Sequence, residues 1–261
     1  MTSRYGNLSK LLEGTHEAAY WLGFIMADGS FSGNRLGIGL HPKDSTHLES
    51  FKSWAEITSP ILLHDQGRYV KISIMDSTNV PKLRELYDIQ PRKTYNPPKK
   101  LPFQSPELNK SFLVGLIDGD GYITRQTGRD VSAILIVGHL SWLSFFQKLS
   151  ESTGFGKTRT RPGSVDSTGT FAALNSHVHG NNVTLKLHAI KHDLPYLSRK
   201  WSLVDESVLS DKYVRAEKLK DFILSGKTNS EIYQIYKISE AGLSMARKRL
   251  DVDLLGNPKI I

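Results

Sequence analysis

The chain has 261 residues and carries 34 Lys and Arg against 26 Asp and Glu, a formal charge of +8. At 39% apolar and 23% charged residues it has the composition of a folded protein, which excludes disordered, collagenous and low-complexity architectures. The absence of cysteine excludes disulfide scaffolds, thiolate metal sites and cysteine nucleophiles together. A basic balance favours polyanionic partners, because phosphates attract Lys and Arg and release counterions on binding. No stretch approaches the roughly 20 apolar residues needed to span a bilayer, and Met1 to Leu12 has no apolar run of signal-peptide length. The expectation is no membrane partner and a cytoplasmic location, or the nucleus or an organelle matrix in a eukaryote.

The predicted elements open with an apolar helical segment, Ala18-Ala19-Tyr20-Trp21-Leu22-Gly23-Phe24-Ile25-Met26-Ala27-Asp28-Gly29. Strands near Ser30 to Ser32 and Arg35 to His41 follow, then a helix from Asp44 to Ile57, strands near Ile61 to His64 and Arg68 to Met75, and a helix from Val80 to Tyr87. The proline-rich stretch Pro91 to Pro106 reads as an extended linker, and Ser105 with Pro106 offers an N-cap and a first-turn proline. The segment Lys110-Ser111-Phe112-Leu113-Val114-Gly115-Leu116-Ile117-Asp118-Gly119-Asp120-Gly121 then repeats the first apolar pattern and ends on the same Asp-Gly, 92 residues later. Its sequel echoes the first half: strands at Tyr122 to Arg125 and Val131 to Val137, a helix from Ser141 to Ser152, strands at Lys157 to Arg161 and Val183 to His188, and a helix around Pro195 to Glu206. Arg92-Lys93 and Arg199-Lys200 close the two halves alike. Three short helices at Ala216 to Leu224, Ser230 to Tyr236 and Glu240 to Leu250 form a separate module. The expected division is 1–90 and 107–210 for the two halves, 91–106 for the linker and 211–261 for the module.

Four-residue spacing places Gly23 with Ala27, and Gly115 with Gly119, in a row of small residues on one side of each repeated helix. Two such helices can meet backbone to backbone, with Asp28 and Asp120 emerging at the same end. Two carboxylates brought together destabilise each other unless a cation lies between them, and hard oxygen ligands suit magnesium. Such a pair beside a basic surface suits phosphodiester hydrolysis. For either motif alone, an Asp-Gly turn ending a buried helix is the plain structural alternative.

Leu113-Val114-Gly115-Leu116-Ile117-Asp118-Gly119-Asp120-Gly121 and, more loosely, Trp21-Leu22-Gly23-Phe24-Ile25-Met26-Ala27-Asp28-Gly29 resemble the motif of the LAGLIDADG homing endonucleases in their single-chain, two-motif form, over about residues 16 to 206. The resemblance implies an α+β fold of two pseudo-symmetric αββαββα halves, with paired motif helices at the centre and two saddle-shaped antiparallel sheets lying along DNA. It implies a monomeric double-strand endonuclease with a long asymmetric target, minor-groove cleavage and 3′ overhangs. Asp28 and Asp120 become the metal-binding acids, with Ala27 and Gly119 beside them in the metal set, and the ions are two or three Mg²⁺, replaceable by Mn²⁺ or Ca²⁺ for binding. Lys93 and Lys200 match the family's active-centre lysines; ordinary solvated lysines are the alternative. A further polar residue is expected at the end of the second strand of each half. His41 or Lys43 can serve in the first; after Ile136-Val137-Gly138, only His139 is offered in the second.

Strand alternation should put a polar face toward nucleic acid. In the first half that face holds Arg35, His41, Tyr69, Lys71 and Ser73; in the second, Arg125, Lys157, Arg159, Arg161, Thr184, Lys186 and His188. Such side chains can read major-groove edges and phosphates, although a solvated sheet face has the same pattern. Phe222 to Leu250 looks like a resolvase-type helix-turn-helix with a core of Ile232, Ile235, Ile238, Leu243, Ala246 and Leu250, and Arg247, Lys248 and Arg249 available to a major groove. A helical cap on the second half is the alternative there. His177-Val178-His179 lacks the carboxylate or cysteine of a metal site, and Gly156-Lys157-Thr158 lacks the earlier P-loop glycine. Two rivals to the nuclease stay open: a transcription regulator on the same fold, and an intron-encoded maturase whose partner is RNA.

Overall fold

A computed structural model describes residues 7–125, 132–154, 159–165, 172–178, 187, 190–191, 193–207, 219–236 and 240–250. The chain divides into two units, residues 1–125 with 132–204, and residues 126–131 with 205–261.

The larger unit is built on two helices, α1 (His16–Asp28) and α4 (Pro106–Asp120). Thr15 caps α1 by accepting from the Ala18 N–H, and Ser105 caps α4 by accepting from Leu108 N–H, with Pro106 in the first turn. Nearly every residue of α1 from Ala18 to Ala27 is buried, as is Ser111 to Asp118 of α4, so these are central helices without a wet face. They run side by side in the same direction. A methyl carbon placed on Gly23 would strike the Phe112 carbonyl oxygen, and one on Gly115 would strike that of Tyr20. The small residues are thus required by reciprocal backbone contact. His16 Nδ1 and Ser111 Oγ, 2.8 Å apart, tie the starts of the helices.

Both helices pass straight into strands. Gly29 and Gly121 take φ/ψ of −78°/153° and −80°/152°, each N–H donating to the carbonyl four residues back, Ile25 and Ile117. A Cβ at either glycine would collide with that same carbonyl oxygen, which is why Asp is followed by Gly twice.

In the first half β1 (Gly29–Ser32), β2 (Arg35–Leu40), β3 (Leu62–His64) and β4 (Tyr69–Met75) form an antiparallel sheet in the order β1-β2-β4-β3, with α2 (Ser45–Trp54) and α3 (Asn79–Leu86) in the connections. In the second, β5 (Gly121–Arg125), β6 (Ser132–Gly138), β7 (Arg159–Val165) and β8 (Ala172–Val178) repeat it as β5-β6-β8-β7, with α5 (Leu140–Ser152) between β6 and β7 and α6 (Ser198–Ser207) later. The mixed helix and antiparallel-sheet architecture is α+β as expected.

One expected strand is corrected. The partner of β6 and β7 is Ala172–Val178. Of Val183 to His188 only Leu187 is among the described residues, and it is helical and fully buried. The strict alternation of Val183-Thr184-Leu185-Lys186-Leu187-His188 outweighed the weaker pattern of Ala172-Ala173-Leu174-Asn175-Ser176-His177-Val178 because alternation alone carries no information about pairing. The linker is irregular, pinned to α4 where the Asn109 side chain donates to the Phe103 carbonyl and accepts from its N–H.

The smaller unit is helical: residues 219–224, α7 (Asn229–Tyr236) and α8 (Glu240–Leu250). Thr228 and Glu231 form a reciprocal capping box at the start of α7. Its core is Leu219, Ile223, Ile232 and Leu243, with Phe222, Tyr233 and Ala246 against it. Ile235, expected inside, is exposed: the inward face of α7 lies on the Asn229, Ile232 and Tyr233 side. Ile238 and the side chain of Leu250 lie outside the described residues.

Candidate active site at the end of the helix pair

Asp28 and Asp120, the last residues of α1 and α4, come together. An ideal Cβ on Gly119 would lie 3.4 Å from Asp28 Oδ2, and Gly119 itself packs on Ala27. Burial and then the charge of Asp120 raise the Asp28 carboxyl to about 6, against the pull of Lys200 and Lys93; Asp44 adds a further upward push. Burial raises Asp120 as well, with both lysines opposing. Two acids are held here in a setting that disfavours their charge.

The lysines reach the site by different routes. Lys93 lies in the turn after Pro91, where Arg92 has φ +53°, and donates to the Met26 and Ala27 carbonyls at 2.6 and 2.5 Å. Lys200, in the first turn of α6, has the carbonyl oxygens of Ile117, Asp118, Gly119 and Gly121 within reach of its three N–H groups, at 3.2, 2.5, 2.8 and 2.8 Å. Each cation thus sits at the negative end of its own half's motif helix. Burial lowers the pKa of both lysines, and the acids resist that shift.

Around this centre lies a cleft of ≈ 130 Å³ whose walls include Asp28, His41, Asp44, Gly119, Arg199 and Lys200. His41 and His139 correspond. Each is extended (φ −61° and −64°), each follows the second strand of its sheet, and each Nδ1 accepts from the N–H two residues on, Lys43 and Ser141. Both strands run into a histidine, Leu40-His41 and Gly138-His139, and that was the available signal. On the Asp120 side the Tyr95 and His139 rings are 5.0 Å apart and Lys93 stands 6.0 Å from the Trp142 ring.

Asp118 is buried behind the site. It accepts from Tyr20 O–H at 2.7 Å, the Leu197 N–H at 2.8 Å and the Trp201 indole N–H at 2.7 Å. Having given its one proton to Asp118, Tyr20 accepts from His47 Nε2, 2.9 Å away, which fixes the histidine tautomer. Burial is the main influence on both ends of this chain, raising Asp118 to about 6 and lowering His47 to about 4. The network spans both halves and anchors the start of α6, which carries Lys200.

The open face of the first sheet carries exposed Arg35, Tyr69 and Ser73 and half-buried Lys71, opposite buried Leu36, Ile38, Leu40, Val70, Ile72 and Ile74. Glycines keep it thin: Lys71 lies across Gly37 and Tyr69 across Gly39, while Tyr69 also stacks on His64 at 5.4 Å. His41 and Lys43 are exposed beside it. On the second sheet, register sets Leu135 in line with His177 and Arg159, and exposed Val137 with Asn175 and Arg161. Arg125 is the last residue of β5. The side chains of Arg125, Arg159 and Arg161, and residues Lys157, Thr184, Lys186 and His188 altogether, lie outside the described ones. In the small unit Lys248 is exposed, and Arg249 belongs to α8 with its side chain undescribed. Arg247 is corrected: it is 4% exposed and its guanidinium donates to Asn229 Oδ1 at 3.0 Å. Four residues after Leu243, it shares the inward stripe of α8, a spacing that marks it as a packing residue.

No family model and no curated protein matches the chain. The class that the fold defines is a paired-helix, twin-sheet α+β protein, and the solved structures it is similar to carry the same name as the motif. The homing endonuclease I-DmoI, in complex with DNA and calcium, is 14% identical with a TM-score of 0.46, covering 76% of this chain and 99% of that one. The LAGLIDADG meganuclease I-AabMI, bound to uncleaved DNA, is 14% identical with a TM-score of 0.48, covering 92% and 98%. The N-terminal LAGLIDADG domain of DUF199/WhiA is 17% identical with a TM-score of 0.42, covering 71% and 84%. These are likenesses of chain course; what the site can do is decided by its own residues.

Proposed function

We propose that this chain is a site-specific double-strand DNA endonuclease working as a monomer, with residues 1–90 and 107–210 as its halves, 91–106 as their linker and 211–261 as an accessory DNA-binding module. The observation that carries this reading is the meeting of Asp28 and Asp120 beside Lys93 and Lys200 at one end of a close-packed helix pair. Each motif helix ends on one acid and holds one lysine at its carbonyl end, which suits two scissile phosphates.

The donor set fits a hard divalent ion. Asp28 and Asp120, with the Ala27 and Gly119 carbonyl oxygens, offer only oxygen, and each carbonyl keeps a lone pair beside the one its lysine uses. Two carboxylates suit Mg²⁺, which binds through one or two carboxylates and takes its other ligands from water and phosphate; Mn²⁺ or Ca²⁺ would replace it for binding. When bound, such ions supply Lewis-acid activation of water and of the leaving oxygen. Lys93 and Lys200 hold positive charge at fixed positions beside the carboxylates, where charge builds on the phosphate. His41 lines the cleft with Asp28, where its ring can orient water or a phosphate oxygen, and His139 is its counterpart after β6.

Duplex DNA spanning the gene's insertion point, with the gene removed, tests this in Mg²⁺. Cutting with 3′ overhangs, abolished by Asp28→Asn and Asp120→Asn while binding persists, is expected. Binding without cutting by the wild type defeats the nuclease reading in favour of a regulator; splicing of a host intron RNA without cutting favours a maturase.

A further inference from the structure

The two sides of the acid pair are dressed differently. His41-Pro42-Lys43-Asp44 answers His139-Leu140-Ser141-Trp142, so an acid stands where the second half has an indole. Asp44 uses both oxygens on one guanidinium: Arg199 Nε donates to Oδ1 at 2.9 Å and Nη2 to Oδ2 at 2.8 Å. The pair crosses from one half to the other, and both members line the cleft that holds Asp28, His41 and Lys200. Arg92, which precedes Lys93 as Arg199 precedes Lys200, lines a separate groove with Tyr95, Lys99 and Lys148.

A fork-to-fork arginine is fixed in plane and direction, unlike a solvated one. Asp44 is nearly covered, at 12% side-chain exposure, while Arg199 is 56% exposed. Two of the guanidinium's five N–H groups go to Asp44 and three remain, the donor set that recognises phosphate oxygens. The cleft, at ≈ 130 Å³, has room for a phosphoryl group.

Resting on the nuclease reading, we propose that Arg199, aimed by Asp44, contacts the phosphodiester cut on the Asp28 side, and that the Asp120 side, with no such pair among the described residues, makes the two strands unequal substrates. Arg199 touches substrate in this scheme, and Asp44 is a positioning residue that acts through it.

The test uses duplexes selected by the wild-type protein from a randomised library, labelled on one strand or the other and cut in Mg²⁺. Arg199→Ala should slow one strand about tenfold to hundredfold and leave the other within about twofold. Arg199→Lys should recover part of that rate, and Asp44→Asn should give the same one-strand defect in smaller measure. Equal slowing of both strands, or of neither, overturns the proposal. Binding in Ca²⁺ to duplexes carrying single methylphosphonates gives a second readout. At one central position the losses from the neutral linkage and from Arg199→Ala should fail to add; additivity everywhere overturns the contact. A chain that binds but cuts neither strand defeats the nuclease reading, and the methylphosphonate comparison then decides the contact alone.

Discussion

Behind the shared seam, the two halves fill corresponding positions with opposite chemistry. Tyr20, His47 and Asp118 make a buried hydrogen-bonded chain on one side. Their counterparts, 92 positions away for Tyr20 and Asp118 and 98 for His47 (the His41 to His139 offset), are Phe112, Met26 and Phe145, all buried and none able to donate or accept strongly. The same contrast recurs nearer the surface, with Asp44 and Arg199 on one side and Trp142 on the other. The seam itself tolerates no such divergence: Gly23 and Gly115 touch each other's helix backbone reciprocally, whereas side chains one layer out were free to differ. Close backbone contact restricts the residue; a pocket restricts only volume and satisfied polarity.

The largest effect is expected at the glycines. Gly23→Leu or Gly115→Leu forces a side chain into a backbone carbonyl and should cost about 4 kcal/mol or more, leaving little soluble folded protein. Gly14 and Gly33 meet nothing within 4 Å, so leucine there should cost only the positive-φ strain of about 1–2 kcal/mol. Urea titration of the four variants ranks them; equal losses would remove the special status of the seam.

The buried polar chain should give the next largest effect. Asp118→Met copies the other half's residue but leaves Tyr20, Trp201 and the Leu197 N–H without their acceptor, and should cost about 3–5 kcal/mol. Adding Tyr20→Phe and His47→Phe completes the copy and should recover about 1–2 kcal/mol, because two stranded polar groups disappear with it. Strict additivity of the three losses would show that the network does not act as a unit.

His47 gives the smaller, pH-dependent effect. Burial holds it at about 4 in the native chain, against 6.5 when unfolded. Between those values the unfolded chain binds a proton that the folded one refuses, so its contribution is complete above pH 6.5 and is lost as pH falls toward 4. The loss is on the order of 3 kcal/mol at most. Buried Asp118, raised to about 6, acts in the opposite sense, so the readout is the difference between wild type and His47→Phe across that window. Identical acid slopes for the two proteins would contradict it.

The helix pair, its glycines and its terminal acids were legible in the sequence because close packing and a tight helix-to-strand exit both demand small residues at fixed spacing. The first sheet was legible because β2 and β4 alternate strictly. The fourth strand of the second half was not, since Val183 to His188 alternates better than the segment that pairs. Asp118 with Tyr20, and Arg199 with Asp44, are separated by 98 and 155 positions. No local period links such partners; only the fold brings them together. Arg247 was legible in principle, through its four-residue spacing from Leu243, and its charge drew the reading outward.

Anomalous diffraction from crystals of the DNA complex grown with Mn²⁺ examines the joint acidic site most directly. Manganese peaks are expected at the end of the helix pair, within bonding distance of Asp28 and Asp120, and are expected to vanish in the double Asp→Asn variant. Manganese bound elsewhere, or carboxylates turned away from each other with no ion near either, would contradict it.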